Sequence, residues 1–210
     1  MPLIDRLASP VFTGWIVEYF GDWGVVNLLM HRVIAANAAG DGVAVVLVQD
    51  FGGFNPYLVR RFCMFFGTDF SKVVVSRAFK LEDALAALSA ALREGFSRVV
   101  VADPYLHLPQ DPRRYWEATP LTAGLRALAQ GGAEVAVFNR VSRFGSYRPE
   151  GGNFHHHSTH VMIRFRKGRR GIRVDLVKHP LKPEETVYID VKDIYLPRSR
   201  PTLTKWVGVA

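Results

Sequence analysis

Val43-Ala44-Val45-Val46-Leu47-Val48 is an unbroken apolar run of β-branched and aliphatic residues. A run of this kind reads as a strand buried on both faces, which is the mark of a parallel sheet. Working outward, WIVEYF (15–20), KVVVS (72–76), RVVVA (98–102) and EVAVF (134–138) repeat the pattern. Helical stretches fall between them. LLMHRVIAANAA (28–39) ends before Gly40, with GDWG before it as a turn. Another helix lies near 56–66. At 81–94, Leu81, Leu85, Leu88 and Leu92 form one stripe that Gly95 ends. A fourth, near 119–130, stops at Gly131-Gly132. Alternating strand and helix predicts an α/β fold with a mostly parallel central sheet and helices on both faces.

The rhythm then changes. Residues 142–159 are polar and glycine-containing with no regular period. VMIRFR (161–166), the basic turn KGRRG and IRVDLVK (172–178) predict an antiparallel hairpin extension, and VYIDV (187–191) a last strand at the sheet edge.

Composition narrows the class. The 210 residues are 49% hydrophobic and 22% charged, as in an ordinary globular chain, and the length is that of one domain, expected over 1–210. A single cysteine, Cys63, excludes a disulfide framework and a multi-cysteine zinc site, and its apolar neighbours Phe62, Met64 and Phe65 place it in a core. No 18-residue apolar window and no signal-peptide pattern are present, so a cytoplasmic protein without a membrane partner is expected.

The net charge of +8 is unevenly placed. Residues 140–182 hold 11 Lys and Arg against Glu150 and Asp175, a surplus of nine, which leaves the rest of the chain at −1. A polyanion is the natural partner of such a surface; an Arg-rich, thermophile-like surface is the other reading.

Ligands of parallel α/β sheets sit at the carboxyl ends of the strands. After the first strand, a phosphate-binding loop would read G-x-x-x-x-G-K-[ST]. Here Gly21-Asp22-Trp23-Gly24-Val25-Val26-Asn27-Leu28 keeps Gly21, and has Gly24, but puts Val26, Asn27 and Leu28 at the second glycine, lysine and hydroxyl positions. Val resists the close approach that Gly permits, Asn27 supplies no charge, and Leu28 cannot ligate a cation. Asp103 ends the run Val99–Ala102, the arrangement that holds Mg²⁺ in P-loop ATPases and equally a common strand ending.

An ordered set of segments resembles the RecA/RadA recombinase superfamily, on the archaeal RadA branch. Gly151-Gly152-Asn153, Ser158-Thr159, Arg164 through Arg169 and Pro180-Leu181-Lys182-Pro183-Glu184 follow that branch in order and spacing. Val75 through Phe79 resembles its "SRAF" strand, Gly52 through Pro56 its "GTFRP" segment, and Gly14 through Trp23 the opening of its P-loop. The resemblance spans about residues 14–191. It implies a RecA-like core, here without the preceding helix-hairpin-helix domain or a polymerisation motif. The family's catalytic glutamate falls at Phe51, next to Asp50, and its sensing glutamine at Arg140, after Asn139. The degenerate nucleotide site would therefore comprise Gly21, Gly24, Asn27, Leu28 and Asp103, with no ATP or Mg²⁺ cofactor and no catalytic residue expected.

The resemblance also implies two DNA loops. The first maps to about 104–118, where Arg113 and Arg114 can pair with phosphates and Tyr115 and Trp116 can stack on bases; a lid whose aromatics pack on the core is the competing reading. The second maps to about 142–158, with Arg143, Phe144, Tyr147, Arg148 and Asn153. His155, His156 and His157 read as an extended histidine strip beside DNA, or as an adventitious metal cluster. The 167–171 turn is a solvated tip or a duplex contact.

The expected function is a RecA/RadA-like paralogue without a working ATPase that binds single-stranded DNA in recombination or repair. The alternative is a subunit that docks on an active RadA-type recombinase or a sister paralogue without touching DNA. A residual nucleotide-binding enzyme is a third.

Overall fold

The computed structural model describes residues 12–49, 52–109, 111–145, 147–169 and 171–195. Asp50, Phe51 and Arg170, singled out above, lie outside them.

Eight strands form one sheet in the order β3-β2-β4-β5-β1-β6-β7-β8. These are β1 (Ile16–Gly21), β2 (Val43–Val48), β3 (Val73–Ala78), β4 (Arg98–Ala102), β5 (Glu134–Arg140), β6 (Val161–Gly168), β7 (Gly171–Lys178) and β8 (Glu185–Ile189). The pairings from β3 to β6 are parallel, and β6–β7 and β7–β8 are antiparallel. The fold is thus α/β with a parallel core and an antiparallel C-terminal extension, as the alternation of elements requires. Every residue of β2 is buried.

Helices α1 (Trp23–Asn37) and α2 (Pro56–Phe66) cover one face, where Val17, Tyr19, Val45, Leu47 and Phe138 pack with Leu29 and Phe62. Helices α3 (Leu81–Arg93) and α4 (Ala118–Gln130) cover the other, where Ile16, Val46, Val101 and Val137 pack with Leu88, Leu121 and Leu125. The buried stripe of α3 is Ala84, Ala87, Leu88 and Ala91. The leucine stripe is corrected by a small rotation: the buried face centres on these residues, which leaves Leu81 and Leu85 at its border and Leu92 exposed. Cys63 is buried in the core. No helix among the described residues is long and apolar enough to cross a membrane.

Three elements depart from the sequence reading. α1 begins at Trp23, five residues before the expected start, because Asp22 caps it by accepting from the Val25 amide at 3.3 Å. Residues 152–158, read as irregular, form the short helix α5 (Gly152–Ser158). A last turn, α6 (Val191–Tyr195), follows β8.

Candidate functional site

The carboxyl ends of β1, β4 and β5 meet in one corner. Only Asp22 separates β1 from α1, so Trp23 through Leu28 are helical and no loop is left to wrap a phosphate chain. Gly21 is required there for a different reason. Its φ is +130° and a Cβ would lie 2.0 Å from the Phe165 carbonyl oxygen. The glycine admits the neighbouring strand rather than a ligand.

Asp103, at the end of β4, is buried and holds φ +53°, the only positive value among the described non-glycine residues. Its carboxylate accepts from Arg140 Nε at 2.6 Å. The same guanidinium lies 4.8 Å from the centroid of the Trp23 ring. Burial pushes the Asp103 carboxyl above its ordinary pKa, and Arg140 pulls it back toward ionisation. Arg140 thus sits in the space between strand ends and helix start, held by a charge on one side and an aromatic face on the other. Asn27 also has a structural partner: its Nδ2 donates to the Gly53 carbonyl at 2.6 Å. Leu28 is buried in the core, and Gly24 lies in the first turn of α1.

The two loops lie against each other beside this corner. Residues Pro112–Glu117 form a 3₁₀ turn, capped by Asp111. Residues 141–149 close on themselves through a Val141–Pro149 bridge and a Ser142 N–Arg148 O bond of 2.8 Å. Glu150, buried, joins them. It accepts from Tyr115 Oη at 2.9 Å, Arg143 Nε at 2.9 Å and the Arg143 amide at 2.9 Å. Tyr115 also accepts from the Gly151 amide at 2.7 Å and meets Phe144 edge-on. Burial and the adjacent Glu150 raise the Tyr115 hydroxyl pKa above the ordinary phenol range.

These contacts sort the candidate residues. Tyr115 and Arg143 are engaged in the lock between the loops, and Tyr115 packs partly buried against the core. Trp116 (68% exposed) and Tyr147 (74%) stand out from the surface, as does Phe144. Arg113 is exposed; Arg114 pairs with Glu117 at 2.7 Å. Arg148 donates to Asn153 Oδ1 at 2.9 Å, both exposed.

The histidines part company because α5 is helical rather than extended. His155 is fully buried, its Nε2 donating to Glu18 Oε1 at 2.9 Å, and does not join the surface. Glu18 also accepts from Asn139 at 2.7 Å. His157 is exposed, and His156 half-buried with a lowered pKa, from burial first and Lys178 second. Among the described residues no cluster of three or more His, Cys, Asp or Glu is placed to hold a metal ion.

Sequence reasoning missed Glu150 and Arg164. Glu150 is one of only two acids in the basic segment, and that isolation was its signal; the other, Asp175, is likewise an ion-pair centre, with Arg166 at 2.8 Å and Arg173 at 2.6 Å. Arg164 lies 5.2 Å from the Tyr147 ring centroid. Register places Arg164 opposite Asp175 and Arg166 opposite Arg173, all on the face opposite the core residues Phe165 and Val174. The second loop therefore rests on a cationic sheet face.

No protein-family model matches the chain, and no curated protein matches it in sequence.

Proposed function

We propose that the chain is a RecA/RadA-like paralogue that binds single-stranded DNA through its paired loops and has given up nucleotide hydrolysis, serving recombination or repair. The observation that carries the reading is Tyr147 stacked on Arg164. It ties the second loop, which exposes Phe144, Arg148 and Asn153, to the cationic face of β6 and β7, and the first loop, locked to the second through Glu150, adds exposed Arg113 and Trp116. Cations interleaved with exposed aromatic rings are what sequence-tolerant single-strand binding needs: phosphates pair with the arginines and bases stack on the rings. The parallel sheet with its antiparallel extension agrees with the RecA-like core implied by the resemblance.

The strand-end corner supports the loss of ATP chemistry. A triphosphate with Mg²⁺ does not fit the residues present: the phosphate loop is helix, its lysine position is Asn27, and Asp103 already holds Arg140.

Fluorescence anisotropy with a labelled oligothymidylate tests the reading. Binding is expected to be indifferent to ATP and to fall steeply with salt. Tyr147→Ala is expected to weaken it about tenfold, the order of one lost stacking contact. Absence of binding at low salt would sink the proposal.

A second reading rests on β3. This edge strand exposes Val74 and Val75, with Phe79 just beyond it, and an apolar edge is a template for a partner strand. Docking on an active recombinase would then be lost in Val75→Lys but kept in Arg148→Ala.

A further inference from the structure

We propose that the cleft at the opposite end of the strands, where β1 and β6 begin between α4 and α5, binds a phosphate monoester. The cleft measures about 330 Å³, and its polar side chains are Arg126, Gln130, His157, Ser158 and His160, with no carboxylate among its lining residues. That volume lies within the range of small-ligand sites.

Its donors are set for an anion. Among the described residues Arg126 has no carboxylate partner; its guanidinium lies 5.6 Å from the Phe154 ring centroid, which orients it without neutralising it. His160 Nδ1 accepts the Ile16 amide at 3.0 Å, which fixes the ring proton on Nε2. The ring is stacked on Trp15 at 5.5 Å, within 5° of parallel. Burial and the neighbouring Lys178 lower the His160 pKa, keeping it the neutral N–H donor that this geometry requires.

Several carbonyls at the ends of the two helices are already engaged. Lys178 Nζ donates to the carbonyls of His156, at 2.8 Å, and Thr159 at the end of α5. At the end of α4, the carbonyls of Ala127, Leu128 and Ala129 accept from Gly131, Ala133 and Gly132. What faces the cleft is a guanidinium, an imidazole N–H and the exposed His157 ring, a donor set suited to a dianionic oxygen cluster. The phosphate belongs either to a small molecule or to the 5′ end of a DNA strand.

Histidine ring resonances, followed by NMR during titration with inorganic phosphate and, separately, with 5′-phosphorylated and 5′-hydroxyl oligonucleotides, decide the matter. Saturable shifts of His160 and His157 with inorganic phosphate support the site and assign it to small molecules. Shifts with the 5′-phosphorylated strand alone support it and assign it to strand ends. Arg126→Gln, at an exposed position, is expected to keep the fold and weaken binding about tenfold. Silence of both rings in every titration, or undiminished binding in Arg126→Gln, overturns the proposal. The inorganic phosphate arm involves no DNA, so its result stands apart from that of the single-strand reading.

Discussion

Arg140 holds its place by two unlike contacts, and they predict unlike consequences when each is removed. Asp103 is buried and bonded to Arg140 Nε at 2.6 Å, while the arginine side chain is 47% exposed. Removing the arginine strands a buried carboxylate, which costs more than removing a solvated charge. Arg140→Met is expected to destabilise the fold by about 2 kcal/mol, less than breaking a fully buried pair costs, because solvent reaches the guanidinium. Adding Asp103→Asn should recover most of the loss, since the orphaned charge is then gone. Urea denaturation of both single variants and the double variant measures the coupling; strict additivity would mean that the ion pair does not hold the corner. Arg140→Gln introduces the residue type that the proposed resemblance would have there, yet it is expected to gain no heat with ATP and Mg²⁺ in calorimetry. The helical Trp23–Leu28 segment would still offer no loop.

At the level of elements, Glu150 couples the 3₁₀ turn after Asp111 to the 141–149 loop. One carboxylate takes three hydrogen bonds, from Tyr115 and twice from Arg143. Glu150→Gln keeps the shape but removes the charge and one acceptor. It is expected to cost about 2 kcal/mol and to raise amide exchange across 142–151 with little change in β1 or β2. Unchanged exchange in that window would mean the loop is fixed by its own Val141–Pro149 closure instead. Much of this level was legible in the chain. Unbroken apolar runs marked β2 and β4, and Gly95 and Gly131 punctuate helix ends. The start of α1 was not legible, because Gly21-Asp22-Trp23-Gly24 carries turn residues whose capping role depends on where β1 stops. Nor was α5, since Gly152-Asn153-Phe154 followed by three histidines has weak helix propensity. The helix is held by tertiary contacts: His155 on Glu18, and Lys178 on the last carbonyls. The site was legible as composition but not as partnership. The sequence placed Tyr115 and Arg143 among the cations and rings, whereas only the fold shows the distant Glu150 that claims both.

Over the whole molecule, His31, His156 and His160 share a lowered pKa, and a fold sensitive to acid is the expected result. His31 is buried in α1. Its Nδ1 is 2.7 Å from the Asn27 carbonyl and its Nε2 accepts the Asn55 amide at 2.7 Å, tying α1 to the start of α2. Nε2 can accept only while unprotonated. Burial, partly opposed by the Asn27 carbonyl, lowers the His31 pKa below 6.5, and His156 and His160 are lowered too. A base with a depressed folded pKa binds fewer protons folded than unfolded at pH values between the two pKa values. Its stabilisation is therefore complete above the unfolded value and is lost as pH falls through the folded one. Thermal melts between about pH 7.5 and about pH 5 should show a falling midpoint, starting near the unfolded histidine pKa of about 6.5. The lowered carboxylates Asp41, Asp69 and Asp175 act below 3.8, and raised Cys63 above 9, outside this window. His31→Gln cannot titrate. It is expected to cost about 1 kcal/mol at neutral pH through its weakened bond to Asn55, and to flatten the acid fall more than His156→Gln or His160→Gln, whose rings are less buried. A melting midpoint in His31→Gln that falls as steeply as in the parent chain would place the acid sensitivity elsewhere.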